Sequence, residues 1–278
     1  MKLVVLSDNN KLSPEYESEH GLSVYVEKDG VRYLFDTGAS GLFIRNAERA
    51  GVDLSKVDYL FISHGHNDHL GGLPNFIEVN QRAVIVISRY ALNRKLYSKR
   101  ETLRSIGNTF NLASVSSRLL FVGDEPVFAG DFIASPVRTK NYPVPKANKT
   151  LYKETFKGLE PDDFDHEIVV AVGKSDSFVY TGCAHKGFLN MLATIQRLTS
   201  KPIRFVAGGF HLPDSRDENY ETPDDLREIA EIIINNYPEL TFFTGHCTGK
   251  TACALLKEEL KSQLELFSAG YVWESTNQ

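Results

Sequence analysis

The apolar run VDYLFIS, residues 57–63, breaks off into HGHNDH, residues 64–69. Three of the chain's eight histidines and an aspartate fall within those six positions, on a glycine-bounded stretch without apolar periodicity. A short continuous apolar run reads as a buried strand, and the residues after it as a turn at the strand's end. A tight loop in that place can aim alternate residues at one point, so His64 and His66 can bind one ion together. Asp68 and His69 follow closely enough to reach a second ion nearby. Imidazole and carboxylate suit Zn²⁺, Fe or Mn²⁺. Two such metals about 3.5–4 Å apart share a hydroxide and clamp both the attacking and the leaving oxygens. The bland alternative is a polar loop that is rich in histidine by chance. Four ligand-type residues at this spacing, directly after a buried strand, speak against it. The fold must therefore end a buried strand at this turn and bring further ligands to it, because a catalytic zinc takes three protein ligands plus water.

The rest of the chain supplies strands and helices in a readable order. LVVL (3–6) is a short buried run, and GLSVYVEKDGVRYLFDTG (21–38) is two β-rich runs joined at Asp29-Gly30, a hairpin turn. SGLFIRNAERAG (40–51) is an amphipathic helix stopped by Gly51, and AVIVIS (83–88) is another buried strand. From Arg89 to about residue 157 the pattern is irregular. It reads as a basic helix from Tyr90 to about Arg104, a hairpin-like LLFVGDEPVFAGDFIAS (119–135) and a proline-bearing loop, NYPVPKANKT (141–150). Regularity returns with the strands HEIVVAV and SFVYTG. Strand and helix then alternate through FLNMLATIQRL, IRFVAGG, PDDLREIAEIIINNY, LTFFTG and TACALLKEELKSQL. Each half puts strands first and helices after, which predicts an α/β fold of two mixed sheets packed together with helices outside. A single domain over 1–278 is expected, with 88–160 as an insertion or lid within it.

Composition narrows the function. The hydrophobic content of 42 % suffices for a sizeable core, and no apolar stretch approaches the length that spans a bilayer. The opening MKLVVLSDNN has too short an apolar run for a signal peptide. Cys183, Cys247 and Cys253 do not make a disulfide framework, so a reducing cytoplasm is the expected location. The net charge of −5 disfavours a nucleic-acid partner, and no membrane partner is implied. That charge is uneven: Ser88 to Lys153 holds 12 Lys/Arg against 4 Asp/Glu, a local +8, which leaves −13 for the remainder. The basic stretch reads either as a solvated insertion or as a positive lid over an anionic substrate. The oligomeric state is not given by the sequence, and a homo-oligomer is left open.

HGHNDH resembles the HxHxDH signature of the metallo-β-lactamase superfamily, and FDTG (35–38) with SHGHNDHLGG is similar to that superfamily's first two motifs in the same order. TGCAHKG (181–187), GGFHL (208–212) and TGHCTG (244–249) resemble one branch of it, built around 7,8-dihydropterin-6-methyl-4-(β-D-ribofuranosyl)aminobenzene-5′-phosphate synthase. The resemblance covers nearly the whole chain. It implies a four-layer αββα sandwich of two mixed β-sheets and two divalent metal ions, zinc first, with iron or manganese as alternatives. It further implies His246 as the last ligand of the site of Asp68 and His69. At the place of the superfamily's bridging aspartate the chain has Cys183 instead, with His185 two residues later; the thiolate or His185 takes that role, and His185 is preferred as a metal ligand. His166 lies near where many relatives hold the third ligand of the first metal and is the runner-up to His185. His211 resembles a proton-donating histidine of the related tRNA-processing nucleases.

Asp36 is expected to orient a metal-binding histidine, and His20 to lie on the surface. GHCTGKT has three residues between Gly245 and Gly249 where a phosphate loop needs four, so it reads as a metal-histidine loop.

The expected function is a metal-dependent hydrolase-type enzyme. It would use a dinuclear metal-activated water on a small anionic substrate, phosphorylated and pterin-like on the resemblance. Asp68 binds metal and orients the nucleophile, and His211 protonates the leaving group. Arg89, Arg94, Lys95, Arg104, Arg138 and Lys140 attract the anion, while Tyr90, Tyr97 and Tyr142 stack on a flat ring. The alternatives are a di-iron redox protein, a phosphodiesterase or nuclease, and a non-catalytic metal-binding protein. Di-iron relatives usually carry a glutamate where His66 stands, which argues against the first.

Overall fold

The computed structural model describes residues 1–214 and 220–275. The chain opens with β1 (Lys2–Ser7), β2 (Ser23–Lys28) and β3 (Val31–Phe35), then α1 (Leu42–Arg49) and β4 (Tyr59–Ile62). Two short helices, α2 (Asn67–Leu70) and α3 (Leu73–Val79), lead to β5 (Val84–Ser88). Seven strands follow: β6 (Leu96–Lys99), β7 (Leu103–Ser105), β8 (Leu119–Val122), β9 (Val127–Ala129), β10 (Phe132–Pro136), β11 (Leu151–Thr155) and β12 (Gly158–Pro161). The second half runs β13 (Ile168–Val172), β14 (Ser177–Tyr180), α4 (Phe188–Leu198), β15 (Ile203–Ala207), α5 (Pro223–Asn236), β16 (Thr241–Thr244), α6 (Lys250–Leu260), β17 (Leu264–Leu266) and β18 (Val272–Glu274). Among the described residues no helix is long and apolar enough to cross a membrane.

Two seven-stranded sheets result, in the orders β18-β1-β2-β3-β4-β5-β8 and β17-β16-β15-β14-β13-β10-β9. They repeat one plan. In the first, β1, β2 and β3 are antiparallel and β3, β4, β5 and β8 parallel. In the second, β10, β13 and β14 are antiparallel and β14 to β17 parallel. A tight turn joins the antiparallel neighbours β2 and β3 at Asp29-Gly30, where both φ angles are positive (55° and 81°). Parallel neighbours need crossovers, and α1, α4, α5 and α6 provide them.

Side chains alternate between two faces, and both faces are covered. Leu3, Val5, Phe61 and Val86 point into the core between the sheets, which Phe132, Val170, Phe178 and Tyr180 fill from the other side. Val4, Leu6, Leu60, Ile62, Ile85 and Ile87 point outward under α1 and α3. A matching outer core lies beneath α4, α5 and α6. These strands read as unbroken apolar runs because neither face meets water. The four-layer αββα arrangement is therefore present. Its aromatic centre ties the sheets together, with Phe35 stacked 4.7 Å from Tyr180 and Phe61 edge-on to Phe132 at 5.0 Å.

The basic stretch departs from its reading. Residues 90–104 form turns and the β6–β7 hairpin rather than a helix. β6 pairs with β11, more than 50 residues on, in a small sheet of order β12-β11-β6-β7. Local periodicity cannot show so remote a partner. The stretch also lacks an apolar stripe at helical spacing, and Leu96 alone of β6 is buried. Residues 119–135 are divided as well: β8 extends the first sheet, while β9 and β10 form a hairpin on the edge of the second.

Candidate metal centre

The parallel strands of both sheets end at one rim of the sandwich, and each runs into a short polar loop there. Asp36 follows β3, Ser63 to His69 follow β4, Thr181 to Gly187 follow β14, Gly208 to His211 follow β15, and Gly245 to Cys247 follow β16. The crevice beyond the carboxyl ends of such strands is where open α/β sheets bind ligands.

Two groups of donors meet at this rim. In the first, His64 Nε2 lies 3.0 Å from His66 Nδ1, and His64 Nδ1 is tied to Ser63 Oγ at 2.9 Å. The His185 ring stands 5.0 Å from that of His64 and 4.9 Å from that of His66. Its Nδ1 meets Asn148 Oδ1 at 3.2 Å, so its buried Nε2 is left without a partner. In the second group, His69 Nε2 is 3.0 Å from Cys183 Sγ and 3.1 Å from His246 Nε2. Asp68 Oδ2 is 3.4 Å from His246 Nε2 and 3.7 Å from His69 Nε2.

The outer nitrogens are fixed from behind. His69 Nδ1 donates to Asp36 at 2.7 Å, and His246 Nδ1 meets Asn9 Oδ1 at 3.1 Å. With those nitrogens carrying the protons and the rings neutral, as metal ligation requires, the inner ones bring lone pairs toward each other. Neutral imidazoles repel in that arrangement, and a divalent cation between them removes the repulsion. The orphaned Nε2 of His185 makes the same demand, so the residues fit a metal.

The electrostatics of the first group agree, and in the second Asp68 stands in for part of the missing charge balance. Burial and neighbouring imidazoles hold His64 and His185 well below the usual imidazole range and bring His66 down to about 3. Burial alone would raise Asp68, but His69 and His246 outweigh it and hold its carboxyl well below the usual range. Burial would lower His246, but the hydrogen bond to Asp68 lifts it to about 9. Burial pushes the Cys183 thiol up.

Asp36, fully buried with φ of 57°, is the hub of the frame. It accepts from Ser63 N and Ser63 Oγ at 2.7 Å each, from His69 Nδ1 at 2.7 Å and from the Tyr180 hydroxyl at 2.8 Å. Gly65 N donates to His166 Nδ1 at 3.1 Å, and His166 Nε2 donates to Asp162 at 3.1 Å. Both His166 nitrogens are engaged in holding the turn, and His166 also stands with His66 and Asp162 in a group of metal-ligand side chains. Ala184, His211 and His246 also take positive φ (59°, 49° and 55°), strain of the kind that gathers at functional sites.

Three contributors were invisible to sequence reasoning. His20, expected on the surface, has an exposed side chain, yet its Nε2 lies 3.4 Å from Asp68 Oδ2 and its ring stacks on His246 at 5.5 Å. Asn9 holds His246 through ring and carbonyl alike. The carboxylate of Glu167 accepts from His185 N and Lys186 N at 2.8 and 2.7 Å, fixing the loop that presents His185, and burial raises its pKa to about 8. None of the three lies in a spaced motif. His211 sits with its ring 4.2 Å from His185, both its nitrogens buried and without partners among the described residues, and its backbone N–H directed at Cys247 Sγ (3.3 Å).

Over the centre opens a cavity of about 420 Å³ whose far wall is the β6–β7 hairpin, including Arg100 and Arg104. Of the cations expected to face an anion, Arg104 lines it, while Arg89, Arg94, Lys95, Arg138 and Lys140 do not. Arg94 pairs with Asp165, Lys95 with Glu154 and Arg138 with Glu125. Among the described residues, Arg100 and Arg104 have no such carboxylate within ion-pair distance. Of the tyrosines expected to stack on substrate, Tyr97 bonds to Glu154 and Tyr90 to Asp124, and Tyr142 lines a separate apolar cavity beside α5.

The family model of the metallo-beta-lactamase superfamily matches residues 18–182. The chain is 27% identical over 276 residues to an uncharacterized protein of Methanocaldococcus jannaschii, covering 96% of each. It is 26% identical over 282 residues to that organism's 7,8-dihydropterin-6-methyl-4-(beta-D-ribofuranosyl)-aminobenzene-5'-phosphate synthase, covering 92% of this chain and 90% of the other. The crystal structure of Tm1679, described as a metal-dependent hydrolase of the beta-lactamase superfamily, superposes with a TM-score of 0.79 at 29% identity over 100% of both chains.

Proposed function

The chain belongs to the metallo-beta-lactamase superfamily, and from that premise we propose that it is a metal-dependent hydrolase acting on a small anionic substrate. The observation that carries this reading is the convergence of imidazole lone pairs, with Asp68, on a cavity floor. His64, His66 and His185 would hold one divalent ion, and Asp68, His69 and His246 a second, with zinc favoured by the donor set. When bound, such ions supply Lewis acidity and lower the pKa of a bound water toward neutrality.

The protein's own groups do the rest. Asp68 is the carboxylate of the donor groups that also lines the cavity, and it orients the attacking water. His211, its ring free of hydrogen bonds, delivers a proton to the leaving group. Arg100 and Arg104 hold the substrate's anionic end against the hairpin. The similarity to a synthase named for a pterin phosphate supports a phosphorylated, ring-bearing substrate. Three free cysteines, two of them at the centre, fit a reducing cytoplasm.

Zinc-loaded protein screened against phosphodiesters, lactones, thioesters and pterin phosphates tests the proposal, with His66→Ala as the blank. Turnover absent from the blank supports it; equal rates throughout overturn it. On the substrate so found, replacing Arg100 and Arg104 together by alanine should raise KM about 10–100-fold with kcat little changed, the loss of one charge-assisted hydrogen bond or two. A neutral analogue should be unaffected. An equal loss on that analogue would move the anion's place elsewhere.

A further inference from the structure

Among the described residues five groups of metal-ligand side chains lie at this rim, and Cys183 belongs to three of them: with Asp68, His69 and His246, with His64 and His185, and with His211 and Cys247. The first is the donor group of one metal position and the second takes in His64 and His185 of the other, which Asp68 also approaches in a group with His64 and His66. The sulfur therefore stands between the positions.

The backbone holds it there. Gly182 (φ +59°) packs so tightly on the histidine turn that a Cβ would lie 2.3 Å from Ser63 Oγ, and Gly208 would strike Thr181 in the same way at 2.3 Å. Only glycine permits this approach, which presses the loop of Cys183 against His64 and His69. The side chain is 3% exposed.

Charge points the same way. Two divalent ions would bring four positive charges to a donor set of neutral imidazoles and one carboxylate, Asp68. A second anionic ligand lowers that excess, and among the described residues the Cys183 thiolate is the group besides Asp68 that reaches ligands of both positions. Cys247 is placed differently: it shares a group only with Cys183 and His211, and its Sγ meets the His211 N–H and the Cys183 carbonyl.

We propose that the Cys183 sulfur bridges the two metal positions as a thiolate. The inference rests on the metal-binding reading above. On metal binding the S–H bond breaks, its proton passes to solvent, and the sulfur lone pairs bind both ions; nothing is oxidised or reduced. A thiolate bridge also biases the centre toward zinc over manganese or magnesium.

Cobalt(II) titrated into the metal-free protein under reducing conditions tests this. The expected result is two cobalt ions per chain and a near-ultraviolet sulfur-to-cobalt charge-transfer band, which changes as the second ion enters. Cys183→Asp should keep two cobalt ions, lose the band and release about one proton fewer on binding at neutral pH. Cys247→Ser and Cys253→Ser should keep the band. Circular dichroism checks that each variant is folded, and Cys183→Ser replaces Cys183→Asp if the latter is not. Two cobalt ions without a band, or a band that survives loss of Cys183, overturns the bridge and leaves the metal reading standing. Failure to bind cobalt at all overturns both.

Discussion

Asp36→Ala should lower the unfolding free energy of the metal-free protein by about 3–5 kcal/mol, the range for removing one partner of a buried charged network. Four donors converge on this carboxylate: two from Ser63, one from His69 and one from Tyr180. Alanine leaves them without an acceptor in a place that water does not reach. The same change frees the His69 ring to rotate, so zinc affinity should also fall by about 10–100-fold, as for other partners of metal-binding histidines. Urea midpoints measure the first effect, and competition against a chromophoric chelator the second. Asp36→Asn should lie between, since its amide oxygen replaces one acceptor while its NH₂ faces donors. A stability change within 1 kcal/mol of zero for the alanine variant would mean that the frame does not hang on Asp36.

Asp68→Asn should reduce kcat/KM on the substrate found by screening by roughly 10³–10⁴-fold, the scale of a lost acid–base or orienting group. Asparagine keeps the shape but can neither neutralise a cation nor accept a proton from water. Bound metal should fall toward one ion per chain, because the position shared with His69 and His246 loses its carboxylate. Combining it with His66→Ala should cost little more than either change alone, since groups that act as one unit are not additive. Metal content separates the causes. A variant that keeps two ions and still loses its rate has lost orientation only; full metal and full rate would remove Asp68 from the chemistry.

Much of the fold was legible because its core strands are buried on both faces. Such strands carry their signal locally, as uninterrupted runs like YLFI and VIVIS ending in punctuated loops. The histidine turn was legible for the same reason: its four candidate ligands lie within six consecutive positions. The β6–β7 hairpin was not legible, since β6 pairs with the remote β11 and the residues just before it, Arg94 and Lys95, pair with the equally remote Asp165 and Glu154. A run of lysines and arginines looks alike as a solvated helix or an edge strand. His20 and Asn9 were missed because their place depends on how the segment after β1 drapes over the rim, and that follows from tertiary packing. Glu167 was passed over beside the more conspicuous His166, which proves to brace the turn through Gly65.

The two donor groups draw their members from opposite halves of the chain: His64, His66, Asp68 and His69 from the loop after β4, His185 and His246 from loops more than 100 residues later. Ions seated here would act as rivets through the seam of a molecule built from two like halves. Neither half alone would complete either coordination sphere, so losing the ions would loosen the join at the rim while the aromatic core still holds the two sheets together.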